Sequence, residues 1–501
     1  MSTPAVNAYD RVAYRTLPTP QTHPDRLATI ALLHGMAPRP IDRCRVLELG
    51  CGDGSNLIPM AYGLPGSEFV GIDLAATAVA TGTRAISALG LPNVALHHLD
   101  IMEVTQALGT FDYIIAPGIY SWVPGPVRDR ILAIFEGHLA PHGVAFVSYN
   151  TYPGCHLREA VWQILQFHVE GIADPSERIA QARALARFMA DCPQTAGSDA
   201  AVLANEMRAV LDHSPGLLFH DDLATTNAPV YFRELAAHAR RHRLQFLAEA
   251  NFHEMQPQAY PPEVARQIRL LADQSVVQME QYLDFLRNRR FRQTLLCREE
   301  VTLDRRLRRE TLRGLRFASP ARPTVERPDV DSPGVIVEFH GREDSRLATD
   351  HPLAKAAMLE LGRAWPRQVG FEDLLRIIAP GTVTADATGA LIEILLAAYT
   401  AGLVELSTYS PHFALEPGPR PTASPVARLQ LEHGSFVASL RHTSVYIEDD
   451  LGRRLLRLMD GTRTPEMLRR ELEAPPSPVQ VSPAALEQKM VEVARLALLV
   501  A

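Results

Sequence analysis

Lysine is nearly absent from this chain of 501 residues: Lys355 and Lys489 are the only two, and arginine supplies the rest of its 50 basic groups. Genomic base composition accounts for such a bias, so it points to no function. An excess of positive charge is absent as well, since 57 acidic groups outnumber the basic ones for a net charge of −7. That balance disfavours a protein whose main business is holding nucleic acid or anionic lipid. Cysteine is sparse: Cys44, Cys51, Cys155, Cys192 and Cys297 form no C-x-x-C pair and no dense framework, which argues against a zinc ribbon and a disulfide scaffold. They read as reduced thiols of a cytoplasmic protein. The first thirty residues mix Pro18, Pro20 and Pro24 with charges at Arg11, Arg15, Asp25 and Arg26 and lack the apolar centre of a signal peptide. No run approaches the roughly 20 apolar residues that a membrane span needs.

With 47% apolar and 21% charged residues the composition is globular, and the length predicts two to four domains. After an N-terminal arm (1–40), residues 41–155 alternate short apolar β-type runs with helical patterns, the mark of a parallel sheet built from βαβ units. Strands are expected at 45–50, 68–74, 94–100, 111–116 and 144–149, with helices at 75–89 and 127–139 covering both faces. Residues 156–316 then read as a helical insertion that also holds two last core strands, 244–248 and 292–297, for seven in all. Insertions at the carboxyl edge of an open α/β sheet lie where substrates bind. Proline-rich stretches at 317–334 and 411–425 read as linkers. They delimit two modules, 335–410 and 426–501, each a strand-like start followed by three short helices and compatible with a winged helix.

Gly50, Gly52 and Gly54 follow the apolar strand Arg45-Val46-Leu47-Glu48-Leu49, and alternating glycines there let backbone amides approach a ligand that side chains would block. Asp73 ends the next strand about twenty residues on, where a carboxylate accepts both hydroxyls of a ribose. A dinucleotide fingerprint needs a further glycine, but Ser55 and Leu57 stand there, and no G-x-x-x-x-G-K-[ST] offers a triphosphate site. The pattern suits a nucleoside without phosphate. Asp100, ending the third strand, is set to accept from an adenine amino group, and Phe111–Ala116 leads into the loop Pro117-Gly118-Ile119-Tyr120-Ser121-Trp122 at the same edge.

Taken in order, Glu48–Gly54, Asp73, Asp100-Ile101 and Phe111–Gly118 resemble the successive motifs of the class I S-adenosylmethionine-dependent methyltransferases, over about residues 40–150. A narrower resemblance runs through Gln21–Pro24, Tyr120–Pro124, Ser148–Gly154 and Asn227–Glu249. Those stretches look like bacterial methyltransferases with a methyltransferase regulatory domain, a group that includes rickettsial outer-membrane-protein lysine methyltransferases. The resemblance implies a Rossmann-like α/β core with helical insertions, winged-helix-like C-terminal domains and S-adenosylmethionine as cofactor. It places Glu48, Gly50, Gly52, Asp53, Gly54, Asn56, Asp73, Leu74, Asp100, Ile101 and Pro117 at the cofactor, with Asp53 toward the methionine amino group. Tyr14 and His23 of the arm are expected to close over it.

Methyl transfer needs in-line placement and an unprotonated nucleophile. A lysine amine, with a free pKa of about 10.4, is held neutral by desolvation. Tyr120, Trp122, Tyr149 and Tyr152 supply the rings for an acceptor pocket, and Asn150 can accept from the amine and aim its lone pair. No Asn-Pro-Pro-Tyr loop is present. No metal site is expected, because His220-Asp221-Asp222 lacks ligand geometry, and the basic runs 240–243 and 305–309 read as solvated helix faces. The accessory half suits a protein substrate, such as a bacterial surface protein, with homodimerisation as a further use. Small-molecule O- or N-methylation and a non-catalytic, cofactor-sensing DNA-binding regulator are the rival readings.

Overall fold

The computed structural model describes residues 11, 12, 14, 16–342, 345–381, 384–475 and 480–501; the first ten residues of the expected arm lie outside this set. At its centre is a sheet of seven strands: β1 (Arg45–Leu49), β2 (Glu68–Asp73), β3 (Val94–His98), β4 (Phe111–Ala116), β5 (Leu139–Asn150), β6 (Leu244–Glu249) and β7 (Phe291–Arg298). Their order is β3-β2-β1-β4-β5-β7-β6. The first five are parallel, while β7 runs antiparallel to both β5 and β6. This is the Rossmann-like α/β core that the sequence led one to expect. The expected strands stand within two residues of their ends, except that β5 begins five residues earlier, at Leu139.

Central parallel strands are covered on both faces and so read as nearly continuous apolar runs, as Val46-Leu47-Glu48-Leu49 does. Alternation then sends Val46, Tyr113, Ile115 and Phe146 to one core and Leu47, Ile114, Ala145 and Val147 to the other. The second face is covered by helices Gly125–His138 and Phe232–Arg241. On the first lies helix Pro24–Leu33, and behind it the first C-terminal module continues the same core through Phe317, Phe339, Met358 and Leu395. The helical insertion, with helices Cys155–His168, Pro175–Asp191 and Asp199–Leu211, has a separate core of its own around Leu165, Met207 and Leu218.

Both proline-rich stretches differ from the linkers expected of them. Phe317 is fully buried in the middle strand of a three-stranded sheet, paired with Val369 and Leu406, because the prolines lie beyond it and leave its backbone free to pair. Likewise Ala423 is buried and bridges to Leu499. The last module, with helices Asp450–Leu458, Pro465–Glu473 and Pro483–Arg495, closes a third core and packs Val426 and Ala438 on Ile58, just past the glycine loop. Among the described residues no helix is long and apolar enough to cross a membrane.

Candidate active site

The glycine loop leaves β1 at its carboxyl end, between the two directions in which the sheet grows. Open α/β sheets bind ligands in the crevice formed there. Gly50, Gly52 and Gly54 have φ of +74°, +56° and +74°. A Cβ on Gly50 would lie 2.6 Å from Ile119 Cγ2, and one on Gly54 2.9 Å from Leu96 Cδ1, so backbone and space both demand glycine. Asp73 is held in place by the loop: Oδ2 accepts from Gly52 N and Oδ1 from Ala75 N, each at 2.7 Å. One lone pair per oxygen remains for a ligand. Beside it Leu74 is an apolar side chain left 55% exposed. Asp100 caps the next turn, accepting from Met102 N at 2.9 Å, with Ile101 half-buried after it. Asp53 accepts from Ser55 N at 3.0 Å and from Thr16 of the arm at 2.6 Å.

Glu48 lies beneath the loop. Its Oε1 accepts from Asn56 Nδ2 at 2.8 Å, while its buried Oε2 has no partner. Burial pushes its carboxyl up to about 8; the Asn56 hydrogen bond opposes the rise and the nearby Asp73 and Asp53 charges add to it. The Asp53 and Asp73 carboxylates at one loop repel a phosphate. They suit a nucleoside that carries positive charge, and the donor set therefore fits an adenosyl sulfonium with a free amino group.

Two residues expected at the cofactor are engaged elsewhere. Asn56 is buried, and its amide donates to Glu48 and, at 3.0 Å, to Thr22 Oγ1, while its oxygen accepts from Thr19 N at 3.0 Å and faces His442 Nε2 at 3.0 Å. Every polar atom of that side chain is thus taken inside the chain. His23 caps helix Pro24–Leu33 by accepting from Asp25 N at 3.2 Å and stacks on Tyr409. Desolvation lowers its pKa to about 3, aided by Arg26. Tyr14 packs edge-on against His220 of the helical insertion. The arm thereby bridges core and insertion over the loop.

On the acceptor side, burial removes two of the four rings. Tyr149 is 1% exposed and hydrogen-bonds Thr294 at 3.1 Å; Tyr120 is 2% exposed and hydrogen-bonds His238 at 2.8 Å. Both belong to the second core because strand alternation and the turn at Tyr120–Trp122 aim them inward. Trp122 and Tyr152 stay half-buried at the edge. Tyr152 stacks on His156 at 4.2 Å and meets Tyr231 at 5.3 Å, and its hydroxyl donates to Glu159 at 3.0 Å. Burial, then that hydrogen bond, pushes the phenol up to about 12. The segment before Tyr231 runs along the end of β5: Val230 N donates to Asn150 O at 3.1 Å and Tyr152 N to Val230 O at 3.3 Å. It sets Asn227 Oδ1 3.3 Å from Asn150 Nδ2.

A model of a methyltransferase domain matches residues 46–143, one of a predicted methyltransferase regulatory domain 214–298, and one of a PKMT C-terminal winged helix domain 419–491. An uncharacterized Rickettsia prowazekii protein, RP789, is 35% identical over 358 residues, 70% of this chain and 64% of that protein. A second, RP028, is 32% identical over 241 residues, 48% of this chain and 96% of that protein. The chain belongs to the class I S-adenosylmethionine-dependent methyltransferases with a regulatory domain. PKMT2 from Rickettsia typhi, solved in complex with AdoHcy, superposes with a TM-score of 0.85 over 97% of this chain and 100% of that one, at 24% identity. The fold is thus common to the two along nearly their whole length.

Sequence reasoning on this methyltransferase missed Thr16, Asn227, Tyr231 and His442. Asn227 and Tyr231 lie in a stretch that carried the family resemblance, and a polar residue and an aromatic there were the available signal. His442 had none, being 386 residues from the Asn56 that it meets. The His220-Asp221-Asp222 run is structural: Asp222 binds Arg158 and His213, each at 2.5 Å, and His220 binds Val12 O at 2.7 Å. Arg305, read as solvated, donates to the carbonyls of Leu247 and Phe246 at 2.6 and 2.5 Å, midway along the edge strand β6.

Proposed function

We propose that the protein methylates lysine side chains of a protein substrate. One observation carries this reading: Gly50 lies against Ile119 at the start of the turn that bears the half-buried Trp122, and Ser121 Oγ of that turn accepts from Asn150 N at 2.8 Å, next to the Asn150–Asn227 amide pair and to Tyr152, whose ring meets Tyr231 in a half-buried ledge. When bound, S-adenosylmethionine supplies an activated methyl group to a nucleophile placed in line with its carbon–sulfur bond. The Gly50, Gly52 and Gly54 backbone admits the donor closely, Asp73 takes its ribose hydroxyls, Asp100 its adenine amino group and Asp53 its amino group. Leu74, Ile101 and Pro117 flank the base. On the acceptor side the rings desolvate an amine and so favour its neutral, nucleophilic form. The same faces hold a partly methylated ammonium by cation–π attraction, of about 0.5–2 kcal/mol each. Asn150 accepts from the amine and aims its lone pair.

The similarity to PKMT2 and the accessory domains supports a macromolecular acceptor, docked by the helical insertion and C-terminal modules. The test is incubation with labelled S-adenosylmethionine and a bacterial lysate, followed by mass-spectrometric identification of the labelled species. Methyl groups on protein lysine are expected. Label confined to small metabolites would overturn the substrate assignment while leaving the donor site intact.

A further inference from the structure

The geometry points to a divalent transition-metal site, built by Asp129, His238 and His242 outside the methyl-transfer centre. His238 lies in helix Phe232–Arg241 and His242 caps its end, one turn on, so the spacing puts both imidazoles on one face. Their Nε2 atoms converge on a single oxygen, Asp129 Oδ1, at 3.1 and 2.9 Å. Asp129 belongs to the neighbouring helix, Gly125–His138. All three ligand atoms lie within 4.8 Å of one another. Bond lengths of about 2.0–2.1 Å in a tetrahedral zinc sphere require ligand atoms roughly 3.3 Å apart, so a small opening of this cluster would admit the ion.

What surrounds the three residues is as telling as the residues. Metal-binding imidazoles are usually oriented by a partner on the other ring nitrogen; His238 has a hydrogen-bonded one here, and His242 has an acidic neighbour. The Tyr120 hydroxyl sits 2.8 Å from His238 Nδ1, and Glu136 Oε2 sits 3.8 Å from His242 Nδ1. The histidine side chains are 12% and 13% exposed, whereas that of Asp129 is 60% exposed. The site is therefore walled on the protein side and open to water on the other. Two nitrogens and one oxygen suit zinc or a similar divalent ion rather than magnesium or calcium. The His238–His242 spacing is local, but the third ligand is not legible in the sequence, because Asp129 is 109 and 113 residues from its partners.

A bound ion would fasten the regulatory segment to the core helix that follows Trp122, and would hold Tyr120 in the intervening loop. The test uses the untagged full chain, stripped with a chelator and titrated with Zn2+ by calorimetry and with Co2+ by visible absorption. One ion per chain is expected, with a raised thermal midpoint and a Co2+ d–d spectrum. His242→Ala and Asp129→Asn should abolish uptake, and Tyr120→Phe should weaken it about 10–100-fold. The exposed His412→Ala should leave it unchanged. Retained S-adenosylhomocysteine binding by Asp129→Asn would show that this variant is folded. Absence of saturable Zn2+ uptake, or uptake that survives both ligand variants, would overturn the site.

Discussion

Asp73 is fixed by the glycine loop, and the proposed donor site adds a ligand to that structural role. Its two loop hydrogen bonds orient the carboxylate and leave one lone pair on each oxygen. Because hydrogen bonds to a charged group contribute about 1.5–3 kcal/mol each, Asp73→Ala should weaken S-adenosylhomocysteine binding at least tenfold. Calorimetry reads the affinity, and an unchanged far-ultraviolet spectrum would show the fold retained. Glu48 works differently, as a buried carboxyl with its pKa raised to about 8. The folded state holds that proton more tightly than the unfolded chain does. Its stabilising share is therefore complete below about pH 4.5 and is lost as pH rises toward about 8. Glu48→Gln should remove this slope, visible as a difference between the two proteins' unfolding free energies across that range, measured without cofactor.

At the scale of elements, the strand-to-helix turn after β1 is the least tolerant segment. Gly50→Ala meets both a positive φ and the Ile119 methyl; overpacking costs about 1–3 kcal/mol, so a lowered thermal midpoint and lost cofactor affinity are expected together. The segment Asn227–Tyr231 is its counterpart at the proposed acceptor ledge, since its rung beside β5 sets both Asn227 and Tyr231. If the ledge binds the acceptor, Tyr231→Ala should raise KM for a lysine substrate while leaving S-adenosylhomocysteine affinity unchanged. Steady-state kinetics paired with calorimetry would separate the two.

Across the whole molecule, the C-terminal modules are fastened to the cofactor half through buried polar contacts. Asp25 accepts from Ser407 and Thr408 at 2.6 Å, and His442 meets Asn56 at 3.0 Å within 5.2 Å of the His23 ring. Desolvation holds both histidines well below their usual range, His23 at about 3. Histidines kept neutral in the fold but free to charge when unfolded contribute stability above about pH 6.5 that is lost as pH falls toward the folded value. Acidification from pH 7 to 5 should therefore loosen this junction first. Limited proteolysis would detect cleavage between the core and residue 442 before the core itself unfolds, and His442→Asn should flatten the response.

Local physics made the donor half legible. Apolar β-runs followed by glycines and acidic strand ends declare the sheet and the glycine turn after β1 without reference to distant chain, because strand period and backbone sterics act over a few residues. Residue type alone did not decide which aromatics remain accessible, for Tyr120 and Tyr149 point into the second core while Tyr152 stays half-buried at the edge. Nor did proline content reveal that 317–334 begins inside a sheet. Contacts such as Asn56 with His442, Asn150 with Asn227 and Asp129 with two histidines join residues about 80 to 390 positions apart. Packing of whole elements creates them, and no short-range pattern encodes that packing.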